Sequence, residues 1–373
     1  MPSSHAYLPS FFVHASGQSC TCLKPFYTGL FPSNISNAMN TITKNNTQHF
    51  LSLTDFSASE IQHMLDLSRS LQESNEPVLK NKHVLFIFEK PSLRTVLGTE
   101  VAINQLGGHV IHTKPEIMLS KGKDVPFSSR EAMKDTIMNV AQWCEAIFAR
   151  VYDHATLTEM AAISPIPVVN ALCEKHHPMQ ALADLLTIQE TFGTETPVTL
   201  TFVGDANNVA HSLFEGMLKL GHSVRFTGPE VYSFKAEAVA HFEALAASHG
   251  GSFMQSADPS DMLPGSDIVY TDTFISMGEE HLAEEKLAHF FPYQVNEKMM
   301  QTAGPEALFM HCQPAHRGVE VTDEVMDHPS SLIQLQAKNR MVSSKGLFAA
   351  LLAEECVFKQ PASSEKATEA ITL

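Results

Sequence analysis

Side chains that bind anions and amines follow the apolar runs of this sequence repeatedly. The polar groups that follow runs with strand character are Ser92 to Thr95, Arg150, His176 to Gln180, Asp205 to Asn208, Asp272 with Ser276 to Gly278, and His311 to Pro314. Hydroxyl, guanidinium and imidazole groups bind phosphate and stabilise developing oxyanions, whereas a carboxylate binds an ammonium group. Ligands of open parallel sheets bind beyond the carboxyl ends of the strands, so the set predicts one shared site.

The clearest of these groups opens a predicted helix. An apolar run, His83 to Phe88, predicts a buried strand, and a helix that ends near Gln105 begins just after Ser92. The first turn of a helix has unpaired N–H groups and a partial positive charge, so Ser92, Arg94 and Thr95 predict a phosphate site. Ser and Thr at a helix start are also ordinary caps, and this stretch alone leaves that alternative open.

Each of the other groups has a structural alternative as well. Arg150 could form a surface ion pair, and His177, which precedes a proline, could simply start a helix. Residues 205–208 are good turn formers, Asp272 could cap the next segment, and Cys312 could be a small buried hydrophobe. The prediction of a site therefore depends on the whole set at one edge of two sheets.

Composition limits the classes of function. The chain has 373 residues, 44% of them apolar and 18% charged, which predicts two globular domains. The net charge of −16 argues against a nucleic-acid partner, and no apolar run is long enough to span a membrane. Only Cys20 and Cys22 form a close pair among six cysteines, so we expect free thiols, a reducing compartment such as the cytoplasm, and no metal.

The order of elements predicts an α/β fold with two doubly wound parallel-sheet domains. Strands are predicted at 83–88, 109–113, 146–151, 167–172, 198–203, 223–227, 252–256, 267–271 and 307–311. Helices are predicted at 58–72, about 92–105, 130–142, 156–163, 178–192, 209–220, 235–248, 279–290, 295–302 and 339–356. Val203 to Asn208 follows a strand but lacks the second and third glycines of a dinucleotide-binding loop, so no nucleotide cofactor is expected.

The predicted domain plan has five parts. A leader at 1–46 precedes one domain at 47–190 and a second at 191–338; the helix at 339–356 returns to the first domain, and 359–373 form a tail. The leader has no acidic residue and no arginine, which leaves open a dispensable segment, an organelle transit peptide, or a true start at Met39.

Several strings in a fixed order resemble the ornithine branch of the aspartate/ornithine carbamoyltransferase family. They are FEKPSLRT (88–95), ARVY (149–152), HHPMQALADLLTIQE (176–190), VGDANN (203–208), TDTFISMGEE (271–280), HCQPAHRGVEVTDEV (311–325) and AKNR (337–340). The resemblance runs from His49 to Glu355. It implies transfer of a carbamoyl group from carbamoyl phosphate to the side-chain amine of L-ornithine without a cofactor, a role in arginine biosynthesis, and a homotrimer with sites at subunit interfaces.

The resemblance also implies roles for individual residues. Carbamoyl phosphate would be bound by Ser92, Leu93, Arg94, Thr95, Arg150, His177, Gln180, Cys312 and Arg340. Ornithine would be bound by Asn208, Asp272, Ser276, Met277 and Gln313. The catalytic groups would be Arg150, His177 and Cys312, the last without forming a covalent bond to the substrate.

Three positions depart from the family pattern. Val96 and Met138 stand where the family commonly has arginine, and Gln313 stands where it has leucine. We hypothesise that the two lost arginines belong to one charge network, which makes the pocket less positive. The departures keep open another acceptor, such as putrescine or an acylated ornithine, and a regulatory paralogue without turnover; the biosynthetic and catabolic directions both stay open.

Overall fold

The structure is a computed structural model, and it describes residues 48–115, 132–275 and 280–353. The predicted leader and tail, together with Ser276 and Met277, lie outside the described residues. No helix of the described part is long and apolar enough to cross a membrane.

The first sheet has four parallel strands in the order β2-β1-β3-β4. They are β1 (His83–Phe88), β2 (His109–Thr113), β3 (Ala146–Arg150) and β4 (Val168–Leu172). All five residues of β3 are buried, as expected of a parallel strand that is covered on both faces. The register between β3 and β4 shifts at Arg150, and such a bulge changes the direction of the side chain at the strand end.

The second sheet has five parallel strands in the order β7-β6-β5-β8-β9. They are β5 (Thr199–Val203), β6 (Ser223–Thr227), β7 (Ser252–Ser256), β8 (Ile268–Thr271) and β9 (Leu308–His311). The strand order reverses between β1 and β3 in the first sheet and between β5 and β8 in the second. The predicted fold of two doubly wound parallel sheets is confirmed.

Helices cover both sheets. They are α1 (Ala58–Leu71), α2 (Leu93–Gln105), α3 (Met133–Val140), α4 (His154–Ile163), α5 (Pro178–Phe192), α6 (Asn208–Lys219), α7 (Ala236–His249), α8 (Pro259–Met262), α9 (Ala283–Phe290), α10 (Glu297–Ala303), α11 (Asp323–Met326) and α12 (Ile333–Leu352). Helix α5 is buried along nearly its whole length and packs against α6, and one apolar core extends from Phe50 through α5 into the second sheet. The predicted boundary at residue 190/191 stays a prediction.

The C-terminal helix α12 packs on α1, α2 and α5. At its crossing with α1, a Cβ added to Gly346 would lie 2.1 Å from Ser68 Oγ and 2.3 Å from the Met64 carbonyl oxygen, so only glycine allows this approach. The buried Lys345 Nζ donates to three carbonyl groups at the end of α1, including that of Leu71 at 3.0 Å. The predicted return of this helix to the first sheet's layer is therefore observed.

The predicted bounds of α12 were wrong at both ends. The helix begins at Ile333, six residues before the predicted start, and ends at Leu352, because Ala353 is extended. Its N-cap Leu332 forms no side-chain cap, so the usual start signal is missing. The helix predicted from residue 279 is observed as a 3-10 turn, Glu280–Leu282, followed by α9 from Ala283, and residue 279 lies outside the described residues. The other predicted ends differ by a few residues.

Candidate active site

A cleft of about 950 Å³ lies at the carboxyl ends of the strands, next to both points where the strand order reverses. The predicted site residues that line it are Ser92, Leu93, Arg94, Thr95, Arg150, His177, Asn208, Asp272, Cys312, Gln313 and Arg340. Gln180 does not line the cleft; it is fully buried and contacts Arg340 from behind. The structure thus brings the described members of the predicted site together.

The N-terminus of α2 forms one wall of the cleft. The first backbone bond of this helix joins Val96 N–H to the Ser92 carbonyl at 3.0 Å, so the N–H groups of residues 93–95 have no acceptor within the helix. The Ser92 hydroxyl does not cap the helix but donates to Thr95 Oγ1 at 3.0 Å. This local geometry favours an anion over a simple capped helix start.

Donors converge on the Thr95 hydroxyl. Arg340 Nη2 lies 2.8 Å from Thr95 Oγ1, and Arg150 Nη1 lies 3.5 Å from the same oxygen. Together with Ser92, three donors therefore point at one oxygen, which has two lone pairs. A phosphate, with three or four acceptor oxygens, would satisfy these donors better than the hydroxyl does.

Positive charge is concentrated at this wall. Burial lowers the pKa of Arg150 to about 10, and the nearby charges of Arg340 and Arg94 act in the same direction. Burial also holds the pKa of His177 well below its usual value, again with Arg340 and Arg150 adding to the effect. At neutral pH His177 is therefore a neutral imidazole near the guanidinium groups of Arg340 and Arg150, and the cleft has the electrostatics of a dianion site.

The opposite wall of the cleft contains Asp272, whose carboxylate accepts hydrogen bonds from two neighbouring side chains of the same wall. Cys312 Sγ donates to Asp272 Oδ1 at 2.9 Å, and Asn207 Nδ2 donates to Asp272 Oδ2 at 2.9 Å. Each carboxylate oxygen keeps a second lone pair, so Asp272 can accept from an ammonium group in the cleft. Burial and the charge of Asp272 raise the pKa of Cys312 well above its usual value, which keeps the sulfur a thiol at neutral pH.

A buried polar network positions Arg340. Its Nη1 donates to Gln180 Oε1, and Gln180 Nε2 donates to Asp184 Oδ1 at 2.8 Å. Gln336 Nε2 and the Tyr270 hydroxyl also donate to Asp184, at 2.9 and 3.0 Å. The network joins α5, α12 and β8, so the guanidinium is oriented by both sheets' layers.

The observed contacts decide between a site and the structural alternatives. Arg150 is 4% exposed, which excludes a surface position. Asp272 accepts hydrogen bonds from Asn207 and Cys312 in its own wall of the cleft rather than capping a helix. His177 is the N-cap residue of α5, which begins at Pro178 as predicted, and it also lines the cleft. Asn207 caps α6, whereas Asn208 Nδ2 donates to the Cys173 carbonyl oxygen at 2.6 Å.

Sequence reasoning missed the supporting residues. Asp184, Tyr270 and Gln336 act only through contacts between distant parts of the chain, and their spacing gives no signal. Asn207 belonged to the candidate group at 205–208, but its bond to Asp272, which spans 65 positions, was not predicted. The buried Glu320, 3.4 Å from the His311 ring, lines the same cleft and was likewise not singled out.

Two family definitions match this chain side by side. Residues 48–190 match the carbamoyl-P binding domain of aspartate/ornithine carbamoyltransferase, and residues 196–351 match its Asp/Orn binding domain. The chain belongs to the aspartate/ornithine carbamoyltransferase family, which confirms the resemblance noted in its sequence.

Relatives within that family are similar over nearly their whole length. The anabolic ornithine carbamoyltransferase of Pyrococcus furiosus is 40% identical over 81% of this chain and 95% of its own. The catabolic ornithine carbamoyltransferase of Thermoplasma acidophilum is 40% identical over 79% of this chain and 95% of its own. A solved structure of the Pyrococcus furiosus ornithine carbamoyltransferase superposes with a TM-score of 0.75 at 38% identity, covering 84% of this chain and 99% of that one.

Proposed function

We propose that this chain is an enzyme that transfers the carbamoyl group of carbamoyl phosphate to the δ-amine of L-ornithine, giving L-citrulline and phosphate. The observation that carries the proposal is the pair of opposed walls: guanidinium groups with an open helix N-terminus on one side, and a carboxylate with a thiol on the other. The family membership and the names of the relatives agree with it.

The phosphate of the donor binds at the N-terminus of α2. The N–H groups of Leu93, Arg94 and Thr95 donate to its oxygens, joined by the Ser92 and Thr95 hydroxyls. Arg94 and Arg340 supply the charges that stabilise the leaving phosphate as its bond to the carbamoyl carbon breaks. Gln180 acts indirectly, because its side chain accepts a hydrogen bond from Arg340 and so orients the guanidinium group.

The carbonyl oxygen of the carbamoyl group faces Arg150 and His177. Attack by the amine nitrogen on the carbonyl carbon places negative charge on this oxygen, and both groups can donate to it. His177 donates as a neutral imidazole, because its pKa is held low. Its backbone N–H donates to Ser212 Oγ at 2.9 Å, which fixes the start of α5 against α6.

Asp272 binds the α-ammonium of ornithine, so that the δ-amine is the group directed toward the carbamoyl carbon. Asn208, Ser276 and Met277 complete this end of the site by the family's pattern. Cys312 and Gln313 lie beside the amine, and the raised pKa of Cys312 supports a hydrogen-bonding role for its thiol and not a covalent one. Positioning and electrostatics account for the rate without a cofactor.

The proposal is tested by citrulline formation from carbamoyl phosphate across a panel of amines. We expect kcat/KM for L-ornithine to exceed that for putrescine and for N-acetyl-L-ornithine by at least about two orders of magnitude. N-acetyl-L-ornithine has no α-ammonium for Asp272 to bind, and putrescine keeps an ammonium at that end but lacks the α-carboxylate. Equal or greater activity with an analogue, or no turnover with any amine, would contradict it.

Gln313 is the feature of the cleft that favours an acylated ornithine as an alternative acceptor. It stands at φ 57° and puts an amide at the cleft wall, where the family commonly has leucine. If the chain prefers an acylated ornithine, Gln313→Leu will shift kcat/KM toward ornithine. If ornithine is the acceptor, the same variant will change KM by only a few-fold and leave the order of preference intact.

We further propose that the chain assembles as a homotrimer with its cleft at the subunit interface. Leu93, Leu97 and Val101 lie at i, i+4 and i+8 along one face of α2 and are 76%, 53% and 38% exposed. Exposed apolar stripes of this kind mark association surfaces, and Leu93 also lines the cleft. Leu97→Asp should lower the mass found by light scattering and reduce activity together; full activity as a monomer would refute the trimer.

The cytoplasmic location remains part of this proposal. Cys144, Cys173 and Cys312 are buried free thiols, which supports a reducing compartment. Relatives of equal identity carry both the anabolic and the catabolic name, so the direction is tested separately, by comparing ornithine and citrulline as substrates.

A further inference from the structure

A second cluster of ligand-type side chains lies outside the cleft wall. His176 is in the loop after β4, His211 and Glu215 are one turn apart on α6, and His241 is on α7. Single ligand atoms of His176, His211 and Glu215 all lie within 4.8 Å of one another. The cluster therefore joins an element of the first sheet's layer to two elements of the second.

The contacts of the histidines with Glu215 are longer than ordinary hydrogen bonds and are compatible with the spacing of metal ligands. His176 Nδ1 lies 3.5 Å from Glu215 Oε2, while His211 Nδ1 and His241 Nε2 each lie 3.4 Å from Glu215 Oε1. Hydrogen bonds between N–H and O are normally about 2.7–3.2 Å long. Four ligands at about 2.05 Å from a tetrahedral zinc ion are separated by roughly 3.4 Å, the edge of the tetrahedron.

Two ring nitrogens of the cluster lack a hydrogen bond in the interior. Nδ1 of His176 and Nδ1 of His211 are buried and form no hydrogen bond of normal geometry. Buried polar atoms are nearly always satisfied, so two at one place, both facing a carboxylate, indicate a missing partner. A cation between them would satisfy both nitrogens and Glu215 at once.

The remaining surroundings suit such an ion. Glu215 is 2% exposed, and its other polar contact is the Ser52 hydroxyl, which donates to Oε2 at 3.1 Å. The ammonium of Lys219, on the same helix as Glu215, donates to the carbonyl oxygens of Thr54 and Phe56. The His241 ring is 40% exposed and gives access from solvent.

We propose that His176, His211 and Glu215 bind one divalent transition-metal ion of the zinc class, with His241, which contacts Glu215, beside the site. Imidazole nitrogens with one carboxylate oxygen suit Zn²⁺ and its neighbours better than Mg²⁺ or Ca²⁺, which prefer oxygen ligands. No such site was expected from the sequence, because its ligands come from two separate segments and lack the close spacing of a metal motif. The proposal does not depend on the reaction proposed above.

Binding there would also bear on the cleft. His176 precedes His177, and His211 precedes Ser212, whose hydroxyl accepts the His177 backbone N–H at 2.9 Å. An ion held by His176 and His211 would therefore fix this contact from outside. The ion would cross-link the loop after β4 to helix α6.

A competing set of donors must be separated from this one. Asp272, His311 and Cys312 also place ligand atoms within 4.8 Å of one another, and they belong to the cleft. The two sites differ in chemistry, because only the cleft set contains sulfur. Cobalt(II) distinguishes them, since thiolate ligation gives an intense near-ultraviolet charge-transfer band and nitrogen and oxygen ligands do not.

The experiment titrates chelator-treated full-length chain with Co²⁺ followed by absorption, and with Zn²⁺ followed by calorimetry and thermal unfolding. We expect one ion per chain, the visible bands of tetrahedral cobalt without the thiolate band, and a higher unfolding temperature with Zn²⁺. His176→Gln, His211→Gln and Glu215→Gln should each weaken binding at least tenfold, and His241→Gln by less. His112→Gln, at an exposed histidine paired with Glu100, is the matched control and should bind as the parent does.

Three results would overturn the proposal. They are no saturable binding, a thiolate band that disappears in Cys312→Ser, and unchanged affinity in all four cluster variants. Should Glu215→Gln fail to fold, the partly exposed His176 and His241 variants decide the question by the same titration, with circular dichroism showing that they are folded.

Discussion

Removal of the Thr95 hydroxyl should weaken phosphate binding while it also destabilises the empty site. Thr95→Val keeps the shape of the side chain but removes the oxygen on which Ser92, Arg150 and Arg340 converge. A buried donor left without an acceptor costs about 1–3 kcal/mol, so the unfolding free energy without ligand should fall by that amount.

The effect on affinity is the difference of two terms. Loss of one hydrogen bond to a charged phosphate costs about 1.5–3 kcal/mol, but the phosphate also restores an acceptor to Arg340, which returns about 1 kcal/mol. The net loss of about 0.5–2 kcal/mol corresponds to a Kd for inorganic phosphate that rises by roughly two- to thirtyfold. Calorimetry with phosphate measures the Kd, and urea unfolding measures the stability.

Two control variants separate the site from the fold. Thr95→Ser keeps the hydroxyl and should bind phosphate nearly as the parent does. Thr99→Val removes a buried hydroxyl one turn along the same helix, 3.3 Å from Ser344 Oγ and away from the cleft, so it should lower stability without changing the Kd. If Thr95→Val and Thr95→Ser bind phosphate equally, the reasoning about convergent donors is wrong.

Three further predictions follow from buried and substituted positions. Burial raises the pKa of Asp184 from 3.8 to about 6, although its hydrogen bonds act in the opposite direction, so the folded state binds the proton more tightly than the unfolded state. The free energy of unfolding should therefore be highest below pH 4 and fall by about 3 kcal/mol as the pH rises through 6. Asp184→Asn should flatten this part of the urea-midpoint profile, and an unchanged slope would refute the prediction. Cys312 should react slowly with iodoacetamide at pH 8, and Asp272→Asn should speed the reaction by lowering the thiol pKa, as measured by mass spectrometry of the peptide; equal rates would count against the pairing. Val96→Arg and Met138→Arg should change the Kd for carbamoyl phosphate non-additively if they belong to one charge network, and strict additivity in the double variant would dismiss that hypothesis.

Local pattern was sufficient for the sheets and for most of the cleft. The continuous apolar runs of β1 and β3 mark buried parallel strands, and the residues after each strand must lie at one edge, which is why the sequence alone singles out Arg150 and Asp272. Helix α5 was predicted at its observed bounds because a proline begins it and Gly193 ends it.

Long-range contacts were not accessible in this way. Most of α12 is buried, so no polar stripe marks its face, and its start lacks a cap, which explains the error at Ile333. Gln180 was expected to contact substrate; its buried bond to Arg340, across 160 positions, was not expected, and the substrate contact stays a prediction. The sequence therefore predicts the fold more completely than it predicts which polar residues bind substrate and which support them.

The tight crossing of α1 and α12 makes catalysis dependent on a contact far from the chemistry. One rigid helix carries both Arg340 at the cleft and Gly346, about two turns further along, where Met64 and Ser68 leave no space for a methyl group. Any larger residue at position 346 must push α12 away from α1, and the guanidinium group of Arg340 moves with the helix. A substitution of this remote glycine would thus weaken substrate binding, although the residue touches neither reactant.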